Sequence, residues 1–298
     1  MSSPIELPTA PLHLLCLPWL AQAGVEVAVL RLDLIDPLIS GNKWFKLEHH
    51  VRAALAGGYA GLISLGGAHS NHLHALAAAG QRLGLQTVGL VRGHAQRTPT
   101  TDDLQAWGMQ LHWLGYGGYR ERHQPHFWAS WQQRYPQLLA VPEGGGGALG
   151  AAGCAPLLAQ VQTQLGKLGW ADFDGWWLAA GTGTTAAGLA LAEGGARPVF
   201  AAMAVPPGHG VAEQIAALNA RNVQLLDASR GGFARIDPQL LAFMAACERH
   251  SGVPLEPVYT GKALMALQQH VSASGLPPRS RWVFVHTGGL QGDRSRPR

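Results

Sequence analysis

A chain of 298 residues with 47% apolar and 13% charged residues can bury one large core or two modest ones, which excludes a disordered polypeptide. Its formal charge of +4 comes from 22 scattered basic residues, clustered only at Arg294, Arg296 and Arg298, so no nucleic-acid partner is expected. Cys16, Cys154 and Cys247 lie far apart without ligand-like spacing, which fits a reducing, cytoplasmic setting. The apolar patch at 12–20 is short and broken by His13 and Pro18, so neither a secretory leader nor a membrane span is expected.

In chain order, apolar runs bounded by turn residues predict buried strands at 25–30, 62–65, 87–91, 110–114, 176–180, 199–205, 223–226 and 282–286. Helical spacing or composition predicts helices at 46–56, 71–83, 125–134, 152–168, 184–191, 211–218, 238–250 and 261–271. Strands that alternate with helices need right-handed crossovers, so an α/β fold with mostly parallel sheets flanked by helices follows. The four glycines at 144–147 interrupt this pattern and read as a hinge or crossing without regular structure.

Four segments carry residues suited to chemistry. Only four lysines occur, Lys43, Lys46, Lys167 and Lys262. Lys43 follows Ser40-Gly-Asn at a helix start, where the positive end of the helix dipole disfavours the ammonium and favours a nucleophilic amine. Taken alone, that segment also fits an ordinary capped, solvated lysine. Ser64-Leu-Gly-Gly-Ala-His-Ser-Asn71 runs from a strand into a helix, and Ser70 and Asn71 at its entrance can present side-chain and backbone donors to a carboxylate or simply cap the helix. His69, His72 and His74 suggest a metal, yet His72 and His74 cannot share one helix face and no carboxylate or cysteine completes a set.

Gly181-Thr-Gly-Thr-Thr-Ala-Ala-Gly188 follows a strand and opens a helix. Its small residues, backbone N–H groups and the hydroxyls of Thr182, Thr184 and Thr185 suit a phosphate, although the lysine of an NTPase loop is missing. Near the C-terminus, Tyr259 in Pro257-Val-Tyr-Thr-Gly-Lys262 and Thr287 in His286-Thr-Gly-Gly289 lie where loops leave the carboxyl ends of strands. Together, a lysine, a carboxylate loop and a phosphate cup suit pyridoxal 5'-phosphate and a small amino-acid substrate.

The motifs S-G-N-K-x-x-K-L-E at 40–48, S-x-G-G-x-x-S-N at 64–71, T-G-x-T-x-x-G at 182–188, P-V-Y-x-G-K at 257–262 and H-T-G-G at 286–289 span most of the chain. In this order they resemble the 1-aminocyclopropane-1-carboxylate deaminase and D-cysteine desulfhydrase family. That resemblance implies pyridoxal phosphate as cofactor and fold type II, the tryptophan synthase β-like architecture. It also implies that Lys43 forms the Schiff base and then moves the substrate's α-proton. Asn71 would meet the cofactor's phenolic oxygen, while Thr182, Gly183, Thr184 and Thr185 would hold its phosphate and Thr287 would face its pyridine nitrogen. Ser70 and the backbone at Asn71 and His72 would take the substrate carboxylate, with Tyr259 beside the substrate. A large domain from 1–44 and 149–298, a small one inserted at 45–148, and a homodimer complete the implied picture.

Departures from the family bear on substrate. Thr260 follows the tyrosine of P-V-Y where the ring-opening deaminases carry glutamate, which points to D-cysteine desulfhydrase-like β-elimination. A threonine hydroxyl at the pyridine nitrogen does not keep it protonated as an aspartate does, which favours elimination over racemisation or transamination. His72 stands in place of a glutamine. Phe233 stands where the family usually places a second tyrosine, and a phenyl ring transfers no proton. The cyclopropane deaminase activity and a cofactor-binding protein without turnover are the alternatives.

Overall fold

The computed structural model describes residues 6–124 and 126–294. Arg296 and Arg298, and Pro125 at the expected start of one helix, lie outside the described residues. The strands are β1 (Leu12–Leu14), β2 (Glu26–Arg31), β3 (Gly61–Gly66), β4 (Gln86–Val91), β5 (Gln110–Trp113), β6 (Leu138–Ala140), β7 (Gly175–Ala180), β8 (Val199–Met203), β9 (Val223–Asp227) and β10 (Arg281–His286). The helices are α1 (Pro18–Ala23), α2 (Asn42–Ala56), α3 (Asn71–Leu83), α4 (Pro99–Ala106), α5 (Gly115–Arg120), α6 (Phe127–Arg134), α7 (Gly147–Gly153), α8 (Pro156–Gln162), α9 (Thr184–Glu193), α10 (Val211–Ala217), α11 (Pro238–Ser251) and α12 (Thr260–Ser272).

The strands form two sheets, ordered β1-β2-β10-β7-β8-β9 and β5-β4-β3-β6. Every pairing is parallel except β1 with β2. Strands covered on both faces need no polar alternation, and β3 and β7 are buried along their whole length. Trp176 and Trp177 of β7 point to opposite faces and join separate core clusters. Their indole N–H groups are satisfied inside, by Glu193 Oε1 at 2.6 Å and the Ala263 carbonyl at 2.9 Å. Burying two such side chains contributes about 4–6 kcal/mol each before entropy is counted.

Three expectations need correction. First, no element is expected at β1, β6, α1, α4 or α5; β1 and β6 are three residues long, too short to show a period. The helices' signals are terminal: Pro18 in the first turn and a left-handed Gly24 bound α1, and a Thr98–Thr101 capping box starts α4. Second, the helix expected at 152–168 is three pieces, α7, α8 and a 3-10 turn at Leu165–Leu168. Pro156 cannot donate the hydrogen bond that would carry α7 onward. Third, the glycine run is not free of regular structure, because α7 starts inside it at Gly147. A Cβ at Gly150 would lie 1.9 Å from the Gly145 carbonyl oxygen, and one at Gly153 would lie 2.0 Å from that of Phe45. The small residues let α7 press directly on the backbone of α2.

Candidate active site

The loops that leave the carboxyl ends of β3, β7 and β10 carry Ser70, Thr182 and Thr287, as open parallel sheets place their ligand-facing groups. The lysine segment docks on the third of these. Gly41 has φ +72°, and a Cβ there would lie 2.1 Å from the Thr287 carbonyl oxygen. That contact and the left-handed backbone together require glycine. The next N–H, of Asn42, donates to the same carbonyl at 3.1 Å. Asn42 opens α2, and its side chain accepts from Lys43 Nζ at 2.7 Å and donates to Thr185 Oγ1 at 2.8 Å. One asparagine therefore bridges the lysine and the threonine loop.

Burial lowers Lys43 from the ordinary lysine value to about 8, against weaker opposing pulls from Cys154 and Glu256. Lys46, one turn on along the same face, is lowered to about 7 by burial and by the repulsion of Lys43. Its Nζ reaches Thr182 Oγ1 at 3.4 Å, and Thr182 Oγ1 lies 2.9 Å from Thr184 Oγ1. Gly183, left-handed, caps α9. The first helical bond there is Ala187 N–H to the Gly183 carbonyl at 2.9 Å, so the N–H groups of Thr184, Thr185 and Ala186 stand at the open end of the helix. A lysine, a helix N-terminus and three hydroxyls make this an anion cup.

Ser70 caps α3 by accepting from Leu73 N–H at 3.1 Å and folds back over Gly66. Asn71 Oδ1 accepts from Gln291 Nε2, and its Nδ2 faces Gly289 in the loop after β10. The His72 ring is buried and turned into the small sheet. Its Nε2 lies 2.8 Å from Ser64 Oγ, whose own proton goes to the Val141 carbonyl at 2.8 Å. His72 Nε2 is therefore the donor, and burial holds the ring neutral, well below the ordinary histidine value. At the helix entrance His72 offers its backbone, not its side chain. His74 instead meets Asp103 at 3.1 Å, and among the described residues no three His, Cys, Asp or Glu side chains gather to hold a metal ion.

Tyr259 packs its ring over Gly181 and is held above its ordinary value by burial and by the carboxylates of Glu256 and Glu143. Glu256 is buried and accepts from the N–H groups of Val258, Tyr259 and Thr260 at 2.8, 2.8 and 2.6 Å. Burial still raises its carboxyl. The structure thus gathers Lys43, Asn71, the 182–185 loop, Tyr259 and Thr287. It adds Asn42, Lys46, Glu256 and Gln291, which the sequence reading does not single out. Lys46 had a signal, its i+3 spacing from Lys43; the others depend on contacts distant in sequence.

An amine that deprotonates near neutral pH suits an aldehyde, and the cup beside it suits a phosphate, so these residues fit pyridoxal phosphate. Comparison with known proteins agrees. A "Putative 1-aminocyclopropane-1-carboxylate deaminase" of Pyrococcus horikoshii is 26% identical over 287 residues, covering 91% of this chain and 86% of that one. A "D-cysteine desulfhydrase" of Klebsiella pneumoniae is 26% identical over 321 residues, covering 96% and 93%. The solved structure of an ACC deaminase homologue superposes with a TM-score of 0.81 at 25% identity, covering 97% of this chain and 91% of that one. The fold is that of the type II, tryptophan synthase β-like enzymes. The family model "Pyridoxal-phosphate dependent enzyme" matches residues 5–288, and the chain belongs to that family.

Proposed function

We propose that the protein is a D-cysteine desulfhydrase-like lyase that cleaves a small amino acid by α-proton removal and β-elimination. The observation that carries this reading is Lys43, an amine lowered to about 8 and joined through Asn42 to the anion cup at α9. Lys43 would hold the cofactor covalently in the resting protein. The α9 N-terminus, Thr182, Thr184, Thr185 and Lys46 would hold its phosphate, and Asn71 and Thr287 would serve its ring oxygen and nitrogen. Bound there, pyridoxal phosphate supplies an electron sink for the pair left when the α C–H bond breaks.

Ser70 and the N–H groups of Asn71 and His72 orient the substrate carboxylate at the start of α3. Freed from the cofactor when the substrate's own amino group replaces it, the Lys43 amine would take the α-proton. The electron pair forms a Cα=Cβ bond, and the β C–S bond breaks with its pair on sulfur. Water then hydrolyses the enamine, so D-cysteine and water give pyruvate, ammonia and hydrogen sulfide. Tyr259 lies beside the substrate and, held protonated, can donate to the leaving group.

Thr260 supports elimination over cyclopropane ring opening. It is fully buried, and its hydroxyl lies within 3.2 Å of Glu256 Oε1, so the position presents no acid to the cleft. A division into a large part, 1–44 and 149–298, and a small part, 45–148, is supported by strand order. All of β3–β6 forms one sheet, and both ends of the chain build the other. Reconstituted protein assayed against D-cysteine, L-cysteine and 1-aminocyclopropane-1-carboxylate tests the reading. Pyruvate with equimolar sulfide from D-cysteine is expected, and 2-oxobutyrate from the cyclopropane alone would overturn it.

A further inference from the structure

Lys262 lies in the first turn of α12 and is 1% exposed. Its Nζ donates to the backbone carbonyls of Ser229 at 2.8 Å and Gly232 at 3.0 Å. A buried ammonium among carbonyl oxygens occupies the environment a potassium ion takes where carbonyl dipoles replace its water.

Within the turn it grips, Ser229 N–H donates to Asp227 and Gly231 N–H to Ser229 Oγ, and Arg230 reaches Met265 and Gln239. A cavity of about 190 Å³, lined in part by Asp227, Arg230, Gly231 and Met265, lies against the turn. Arg230 and Ala234 hold left-handed backbone, at φ 56° and 57°, without being glycine. Such conformations persist only where neighbours impose them. Arg230 bonds Asp237 at the start of α11, and Lys262 grips the turn from the other side. The residue after Gly232 is Phe233, half exposed, with its ring edge-on to Tyr259 at 6.0 Å between centroids.

We propose that Lys262 is a positioning residue, a tethered monovalent cation that ties down the turn at 229–232 and so sets Phe233 against Tyr259 as a wall of the substrate cleft. The substrate part of this inference rests on the reading that Tyr259 faces the substrate; the tethering does not.

Arg230 and Arg235 make the turn cleavable by trypsin, which gives a readout independent of catalysis. In the wild-type holoenzyme, cleavage there is expected to be slow and equal in sodium and potassium chloride. Lys262→Ala opens a carbonyl-lined space of ammonium size. Its cleavage in sodium chloride should rise roughly tenfold or more, the loss expected for charge-assisted hydrogen bonds. Potassium or ammonium chloride at matched ionic strength should slow it again. Lys262→Met fills the space without charge, so it should be cut fast in every salt. With an amino-acid substrate, KM of Lys262→Ala should rise more than kcat and recover in the same salts.

Cleavage of Lys262→Ala at the wild-type rate, or fast cleavage that neither cation slows, would overturn the proposal. If Lys262→Ala does not fold, wild-type protection in folded Lys262→Met overturns it and fast cleavage supports it. Cation-restored protection in a protein that turns over no amino acid would sink the proposed function and leave this inference standing.

Discussion

The backbone N–H of Asn42 donates to the carbonyl of Thr287 at 3.1 Å, tying the start of the lysine's helix to the end of β10. The contact closes because Gly41 lets two backbones meet where no side chain fits. Gly41→Ala is expected to destabilise the protein by about 2–4 kcal/mol and to weaken cofactor retention. Gly58→Ala is the control: its φ is +68° but nothing lies within 4 Å, so about 1 kcal/mol is expected, with cofactor retained. Thermal unfolding and the visible absorbance of dialysed holoenzyme measure both.

Lys46 and Lys43 share a helix face but reach different groups. Lys46→Met is expected to weaken cofactor affinity about 10- to 100-fold, the worth of one charge-assisted contact, while the covalent link still forms. Lys43→Ala should lose the link. Equilibrium dialysis against limiting cofactor, read with absorbance, separates the two.

Four buried histidines give the fold an acid limit. Burial is the first cause lowering His50, to about 4, and also His72, His74 and His286. Between the folded and unfolded values the unfolded chain binds more protons, so stability rises with pH in that window and is lost as pH falls below about 6.5. Urea unfolding from pH 7 to 4.5 should show this decline. His72→Gln should flatten its slope, whatever its effect at pH 7.

The two buried lysines give the opposite end of the profile the same sign. Lys43 and Lys46, lowered to about 8 and 7, bind fewer protons folded than unfolded. The stability of cofactor-free protein should therefore climb from pH 7 towards 10, and Lys46→Met should remove part of that climb.

Converting position 260 to the acid of the ring-opening deaminases is not expected to transfer their chemistry. Thr260→Glu buries a second carboxylate beside Glu256, which already holds the N–H groups of 258, 259 and 260. A loss of about 3 kcal/mol of stability without 2-oxobutyrate formation is expected, by chemical denaturation and product assay.

Much of this architecture was legible because parallel strands buried on both faces advertise themselves as apolar runs; β3, β7 and β10 lie within a residue or two of the expected bounds. The loops at their ends, with Ser70, Thr182 and Thr287, follow from strand order. What was hidden has physical reasons. Three-residue strands carry no period, and α7 is disguised by glycines that serve packing. The Asn42–Thr287 and Gln291–Asn71 contacts join residues more than 200 positions apart. Nothing in the sequence marks Glu256, yet its carboxylate organises the start of α12.

The role of Lys43 is tested most directly by borohydride reduction of the reconstituted protein, followed by digestion and mass mapping of the modified lysine. One pyridoxyl group per chain, on Lys43, is the expected result. Modification at Lys46 or Lys262 instead, or none in a protein that has bound the cofactor, would contradict it.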